Sequence, residues 1–315
     1  MLKIIVTGGA GFIGSHLARR LLENHEVYII DCLHPYYSPH RKRIHLDWIK
    51  TIGDFHFYNQ DLRDREGTIQ LIKEISPEVV IHLAALPGVA YSINQPLEYV
   101  DYDIKATINV LEGAGQSGAR QVIFASSSSV YGNQKGPFHE DMACGKVISP
   151  YAAAKYAAES YCHVYEQLYG FQMNIVRFFT VYGPWGRPDM AIGLFIKSLL
   201  NGEEIHIFGS GSTRDYTYID DIVEGIYLTM IKSTGSDTFN IGSGRPIKME
   251  QLLSELKIHF PAMVVKREGP RLGDVDQTWA DISKAVHQLG FKPKIAFSLG
   301  LKETVKWARE YEKFL

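Results

Sequence analysis

Short apolar runs alternate with amphipathic stretches from the first residues of the chain onward. Lys3-Ile4-Ile5-Val6-Thr7 is a nearly continuous apolar run, which predicts a parallel strand buried on both faces. A helical pattern follows through Leu17, Leu21 and Leu22, and Val27-Tyr28-Ile29-Ile30 predicts a second strand. Residues 55–60, 79–83, 121–125 and 173–179 repeat the strand pattern, with helical stretches between them at 64–75 and from 95 to about 115. Strand-helix alternation of this kind implies an α/β fold with a Rossmann-like, doubly wound parallel sheet. Each strand runs into a polar or small motif: Asp31, Asp61-Leu62, Ala84-Ala85, the serine run 126–129, and Thr180. Ligands of such sheets bind beyond the carboxyl ends of the strands, where these motifs fall.

After Thr180 the texture changes. Residues 181–190 are rich in turn formers and aromatics, a helix is expected at 192–201, and Glu204-Ile205-His206-Ile207-Phe208 reads as a strand. Residues 237–242 look like one more strand and turn. The expected organisation is a cofactor-binding domain over 1–180, to which the chain returns around 216–243. A smaller C-terminal substrate-binding lobe takes 181–215 and 244–315. Arg187, Arg214 and Arg271 lie on loops of this lobe; they suit a diphosphate or carboxylate, or are ordinary surface charges.

Two motifs carry chemistry. Gly8-x-x-Gly11-x-x-Gly14 sits between the first strand and the first helix. Glycines there permit a tight turn, close backbone approach to a pyrophosphate, and phosphate binding at the helix N-terminus. Asp31 ends the second strand about twenty residues on, where a carboxylate accepts from ribose hydroxyls and repels a 2′-phosphate, favouring NAD over NADP. Tyr151 and Lys155 lie one helical turn apart behind Ser149-Pro150, an N-cap followed by a first-turn proline. A phenol titrates near ~10, and a neighbouring ammonium favours its phenolate, so the pair is a candidate acid/base for a sugar hydroxyl. The same spacing also describes an ordinary surface pair; the glycine motif upstream is what favours chemistry.

The 315 residues allow one large or two modest domains, with 45% apolar and 22% charged residues, as in ordinary globular enzymes. A net charge of −2 gives no nucleic-acid footprint. Cys32, Cys144 and Cys162 have no metal spacing and suit a reduced, cytoplasmic setting. His139 and His163 read as surface or packing residues, no metal site is expected, and no membrane span is visible.

Together, the glycine motif, the Tyr151/Lys155 pair and the serine run resemble the extended short-chain dehydrogenase/reductases. Residues 125–132 (Ala-Ser-Ser-Ser-Ser-Val-Tyr-Gly), 177–191 and 216–223 more narrowly resemble UDP-glucuronate 4-epimerases, and the likeness spans nearly the whole chain. The resemblance implies NAD as cofactor and a UDP-sugar as substrate, with C4 inverted through a 4-keto sugar. It implies Tyr151 as base, Lys155 as its partner and nicotinamide-ribose contact, and Ser127 as the hydroxyl on the C4 oxygen. Asp31, Asp61 and Leu62 then match adenosine contacts, and Phe12 and Ile13 pyrophosphate contacts; Ala84 and Phe179 complete the expected cofactor set. Ser128, Thr180 and Arg187 match positions near the sugar carboxylate, and Arg214 and Arg271 the diphosphate side.

Related dehydratases carry Asp-Glu, and decarboxylases a Glu, where this chain has Ser128-Ser129, so neither activity is expected. A neutral UDP-hexose or N-acetylhexosamine epimerase is the closest alternative, and a non-catalytic NAD-binding regulator the more distant one. Ala90 stands where these epimerases usually carry arginine, and Asp103 where they usually carry asparagine. A homodimer is expected from the resemblance, through the 95–115 segment and the alanines 152–154, 157 and 158.

Overall fold

A computed structural model describes residues 1–209, 212–269 and 275–311. Its first six strands are β1 (Lys3–Thr7), β2 (Glu26–Ile30), β3 (His56–Tyr58), β4 (Val79–His82), β5 (Gln121–Ser127) and β6 (Gln172–Phe178). Beyond them lie β7 (Thr180–Tyr182), β8 (Ile205–Phe208), β9 (Thr213–Arg214), β10 (Tyr216–Tyr218), β11 (Asp237–Ile241), β12 (Ile247–Lys248) and β13 (Val265–Glu268). The main sheet is seven-stranded and parallel, in the order β11-β6-β5-β4-β1-β2-β3. The chain therefore reverses direction across the sheet between β1 and β4, and the crevice opens above their carboxyl ends.

Alternation along each strand builds two cores. Ile4, Val6, Val79 and Ile81 face one layer, which includes Leu17 and Leu21 of the Phe12–Leu21 helix and Ile222 and Ile226 of the Ile219–Lys232 helix. Ile5, Val80, Val122 and Phe124 face the other, with Ile72, Val110, Ala158 and Cys162 from the helices Arg65–Ile75, Ala106–Ser117 and Pro150–Tyr169. Both faces are covered, which is why these strands lack polar alternation.

Helix ends follow local chemistry. Ser149 Oγ accepts from the Ala152 amide at 3.2 Å, with Pro150 opening the helix, and Asp64 caps the Arg65–Ile75 helix through the Gly67 amide. The expected 95–115 helix is Pro96–Tyr99, a π-turn at Val100–Lys105, then Ala106–Ser117. β7 pairs with β10 beyond the end of β6, and β8–β13 and β9–β12 form two further small pairs. β11 brings the returning chain to the sheet edge beside β6.

Candidate active site

The first turn is built by crowding. Gly8 has φ +69 and donates its amide to the Ile30 carbonyl at 2.8 Å; a Cβ there would lie 2.8 Å from the Ala84 backbone. A Cβ on Gly14 would lie 2.2 Å from the Gly8 carbonyl oxygen, so the helix starts directly on the turn. No acidic residue or capping side chain occupies the first turn of Phe12–Leu21, which leaves its N–H groups for an anion. Asp31 Oδ2 accepts from the Ala10 amide at 3.1 Å and Oδ1 from the Leu33 amide at 2.8 Å. Two acceptor positions of the carboxylate remain for ribose hydroxyls. Asp61 is held by Arg63 in a bidentate pair (2.7–3.1 Å), and that guanidinium keeps its carboxyl below the usual range. Arg63 in turn lies 4.0 Å over the Tyr102 ring.

A cavity of about 240 Å³ opens over this turn. Gly8, Gly11, Phe12, Ile13, Gly14, Asp31, Asp61, Leu62, Ala84 and Phe179 all line it, as do Ser127, Tyr151, Lys155 and Arg187. A glycine turn, an open helix N-terminus and the Asp31 carboxylate within one cleft fit a dinucleotide. Lys155 is buried and donates to the Ala125 carbonyl at 3.1 Å, which fixes it to the end of β5. The half-buried Tyr151 packs its ring edge-on to Tyr99 at 6.0 Å. Ser127 Oγ donates to Ser129 Oγ at 3.2 Å and accepts from the Ser129 amide at 3.1 Å. The arrangement places a phenol, an ammonium and a hydroxyl on the lining of one cleft, a set able to move a proton on a bound hydroxyl.

Other expected residues sit elsewhere. Ser128 and Thr180 are not on the cavity lining; Ser128 is buried in a 3-10 turn, and the Thr180 amide is bonded to the Asp215 carbonyl. Arg214 donates to the backbone of Thr213 and Asp276, away from the lining. Arg271 lies outside the described residues. Ala90 is exposed at the start of the Val89–Asn94 helix. The exposed His139 and His163 lie 3.4 and 3.7 Å from carboxylate oxygens of Asp281 and Glu166, in keeping with surface roles.

Several contributors carry no local sequence signal. Asp189 holds Arg187 in a bidentate pair (3.0 and 2.5 Å) and accepts from Tyr36 Oη at 3.0 Å, so Arg187 is anchored by two loops and is not free to swing. Lys42, buried on the Pro39–Lys50 helix, lines the cavity with its ammonium 4.9 Å over the Tyr37 ring. Beneath the site, Glu159 accepts from Arg177 Nε at 2.9 Å, from Nη2 at 2.7 Å and from Ser126 Oγ at 2.5 Å. Arg177 Nη1 also donates to Tyr131 Oη, which donates to Asn240 Oδ1 at 2.6 Å. The spacing of Tyr151, Lys155 and Glu159 marks one helix face, which is the only sequence clue to this network.

A second buried chain runs under the β1/β4 crevice. The Thr107 hydroxyl donates to the Asp103 carbonyl at 2.5 Å, so its oxygen accepts from His82 Nε2 at 3.0 Å. His82 Nδ1 then accepts from the Thr7 hydroxyl at 2.7 Å, whose oxygen accepts from the Ala84 amide at 3.2 Å. Only a neutral imidazole satisfies every group, and burial pushes His82 down to about 3.

Comparison with known proteins gives the family. Residues 4–242 match the model of the NAD dependent epimerase/dehydratase family. A UDP-glucuronate 4-epimerase of Thermodesulfobacterium geofontis is 41% identical over 311 residues, covering 97% of this chain and 96% of that protein. The structure of UDP-glucuronic acid 4-epimerase from Bacillus cereus with UDP-glucuronic acid and NAD matches with a TM-score of 0.92 at 34% identity, over 98% of this chain and 99% of that one. A UDP-glucose 4-epimerase from Thermotoga maritima, solved with UDP-glucose, matches at 0.90 and 34%, with the same coverage. With the family model covering most of the chain and a full-length relative at this identity, the chain belongs to the NAD dependent epimerase/dehydratase family.

Proposed function

We propose that this protein is an NAD-dependent UDP-sugar 4-epimerase acting on UDP-glucuronate to give UDP-galacturonate. The observation that carries the reading is the convergence of Ser127, Tyr151 and Lys155 on the cleft formed by the glycine turn and Asp31. NAD, when bound, supplies a hydride acceptor and donor at C4. The chain's own residues do the rest. Asp31 and Asp61 hold the adenosine end, and the Phe12–Leu21 N-terminus receives the pyrophosphate. Tyr151 takes the C4 hydroxyl proton and later returns it, with Ser127 in the hydrogen-bond path and Lys155 supplying positive charge. Arg187, which lines the cavity where Ser128 and Thr180 do not, holds the sugar carboxylate. A fixed carboxylate keeps its bond to the ring out of line with the C4 carbonyl of the keto sugar and so restrains loss of CO2.

A neutral UDP-hexose is the second reading. Ala90 brings no cation to its loop, and Arg187 already has Asp189 as counter-ion. Incubating the purified protein with UDP-glucuronate, UDP-glucose and UDP-N-acetylglucosamine, and identifying products by NMR, separates the two. Turnover of UDP-glucose but not the uronate would sink the uronate assignment.

We also propose a homodimer, through a surface that differs in detail from the expected one. Ala152, Ala154 and Ala158 are buried within their own chain, so only Ala153 and Ala157 remain for a partner. They continue a stripe of exposed apolar residues on the same helix, Tyr161, Val164 (51% exposed) and Leu168 (66%). Leu97 (78% exposed) and Val100 lie on the Pro96–Lys105 segment. Two helical faces of this kind suit a two-fold four-helix contact. Light scattering giving a monomer mass at micromolar concentration refutes it. Among the described residues, no helix is long and apolar enough to cross a membrane.

A further inference from the structure

Asp103 lies in the π-turn Val100–Lys105, a feature often found at functional sites, and its side chain is fully buried. Oδ1 accepts from the Leu86 amide at 2.7 Å. Oδ2 is sealed from solvent and has no hydrogen-bond partner; its nearest cation is Lys155 Nζ at 4.0 Å. A buried carboxylate oxygen left without a donor is costly, so something must offset it. Lys155 spends one N–H on the Ala125 carbonyl, and it lines the same cavity as Tyr151 while lying 4.0 Å from Asp103 Oδ2.

We propose that Asp103 is a positioning residue for the Tyr151–Lys155 pair: its carboxylate is the counter-ion of Lys155 and sets how much of that positive charge is available to the phenol. Charge arithmetic gives the direction. An ionised Asp103 competes with the phenolate for the same ammonium, and a neutral one leaves the ammonium's full charge to Tyr151. Burial lifts Asp103 to about 6, against the pull of Lys155. The other titratable groups facing this cluster are few. Tyr99 gives its hydroxyl to the Pro87 and Gly88 carbonyls, His82 is neutral, and Arg187 is paired with Asp189. Lys155 is the one cation of the described residues within ion-pair distance of Asp103.

The inference rests on the epimerase reading for Tyr151, so its test has one arm that needs catalysis and one that does not. In the first, kcat is followed from pH 5 to 9 for the parent and Asp103→Asn, which keeps the oxygen facing Leu86 and removes the charge. The acid limb moves to lower pH by about one unit in the variant. In the second, the holoenzyme labelled with 13C at the aspartate carboxyl is titrated by NMR; the signal missing from Asp103→Asn is Asp103. Its midpoint rises by about one unit in Lys155→Met, where the cation is gone. Should either variant fail to fold, Asp103→Ser and Lys155→Gln give the same comparisons. An Asp103 midpoint indifferent to Lys155 overturns the proposal. So does a uniform loss of kcat with an unmoved acid limb, which marks a packing role only. A protein that turns over no UDP-sugar, yet whose Asp103 midpoint follows Lys155, supports the coupling and sinks the epimerase reading alone.

Discussion

Replacing Glu159 with glutamine removes one charge from the buried network that holds the site helix to the sheet. Glu159 and Arg177 are 4% and 5% exposed, and their bidentate bonds of 2.9 and 2.7 Å are joined by the Ser126 hydroxyl at 2.5 Å. The amide keeps the shape of the side chain but turns one acceptor into a donor facing the guanidinium, and it deprives the Arg177 cation of its bidentate carboxylate. Breaking a buried pair in this way costs about 3–5 kcal/mol. For a chain of this size each kcal/mol lowers Tm by roughly 2 °C, so Glu159→Gln is expected to melt about 6–10 °C below the parent. The loss reaches catalysis as well, because Glu159 lies one turn beyond Lys155 on the same helix. Replacing both partners, as Glu159→Leu with Arg177→Met, leaves no unpaired charge and should recover much of the loss. Thermal melts followed by circular dichroism on the parent, Glu159→Gln, Glu159→Leu, Arg177→Met and the Glu159→Leu/Arg177→Met double variant decide it. A drop under 2 °C for Glu159→Gln, or a double variant no better than the sum of Glu159→Leu and Arg177→Met, refutes the reasoning.

Tyr151→Phe removes the base and should lower kcat by several orders of magnitude with UDP-sugar affinity nearly intact; Ser127→Ala should cost on the order of 10²-fold. Substantial residual activity in Tyr151→Phe would mean that the assigned base is wrong. Arg187→Ala should weaken UDP-glucuronate by roughly 1.5–3 kcal/mol while sparing UDP, and should release some decarboxylated keto-pentose. Equal losses for UDP and UDP-glucuronate in calorimetry would instead place Arg187 on the diphosphate. The buried His45 and His82 are both held down to about 3 by desolvation, so the unfolded chain binds protons that the native one refuses. Stability is therefore unaffected by them above about pH 6.5 and falls below it, by about 3 kcal/mol for the pair between pH 7.5 and 5.5. Urea unfolding at the two pH values should show a shallower dependence in His82→Gln; an unchanged slope would mean that His82 takes up a proton in the folded state.

The sheet was legible because buried parallel strands are apolar throughout and their ends carry the polar motifs. Strands 79–83, 121–125 and 173–179 were placed to within a residue or two of β4, β5 and β6. The glycine turn, Asp31 and the Tyr151/Lys155 spacing were legible for the same reason: each is local in sequence. What escaped the sequence joins distant segments. Asp189 reaches Tyr36 across the crevice, and Glu159 reaches Arg177 from helix to strand. No spacing rule encodes such pairs. The alanines of the Pro150–Tyr169 helix show the limit in another way. Ala152, Ala154 and Ala158 turn inward because Lys155 and Glu159 must, and the outward stripe is carried by Tyr161, Val164 and Leu168. Arg187 was placed near the cavity by its loop, but nothing local showed that a carboxylate two residues away already holds it.

The central claim is that hydride leaves C4 of a UDP-sugar and returns to the same carbon without exchange. The direct measurement uses UDP-glucuronate carrying deuterium at C4, no added NAD, and NMR with mass analysis of the product. UDP-galacturonate that retains the deuterium at C4 is the expected result. Loss of the label to solvent, or a product whose C4 configuration is unchanged, contradicts the account.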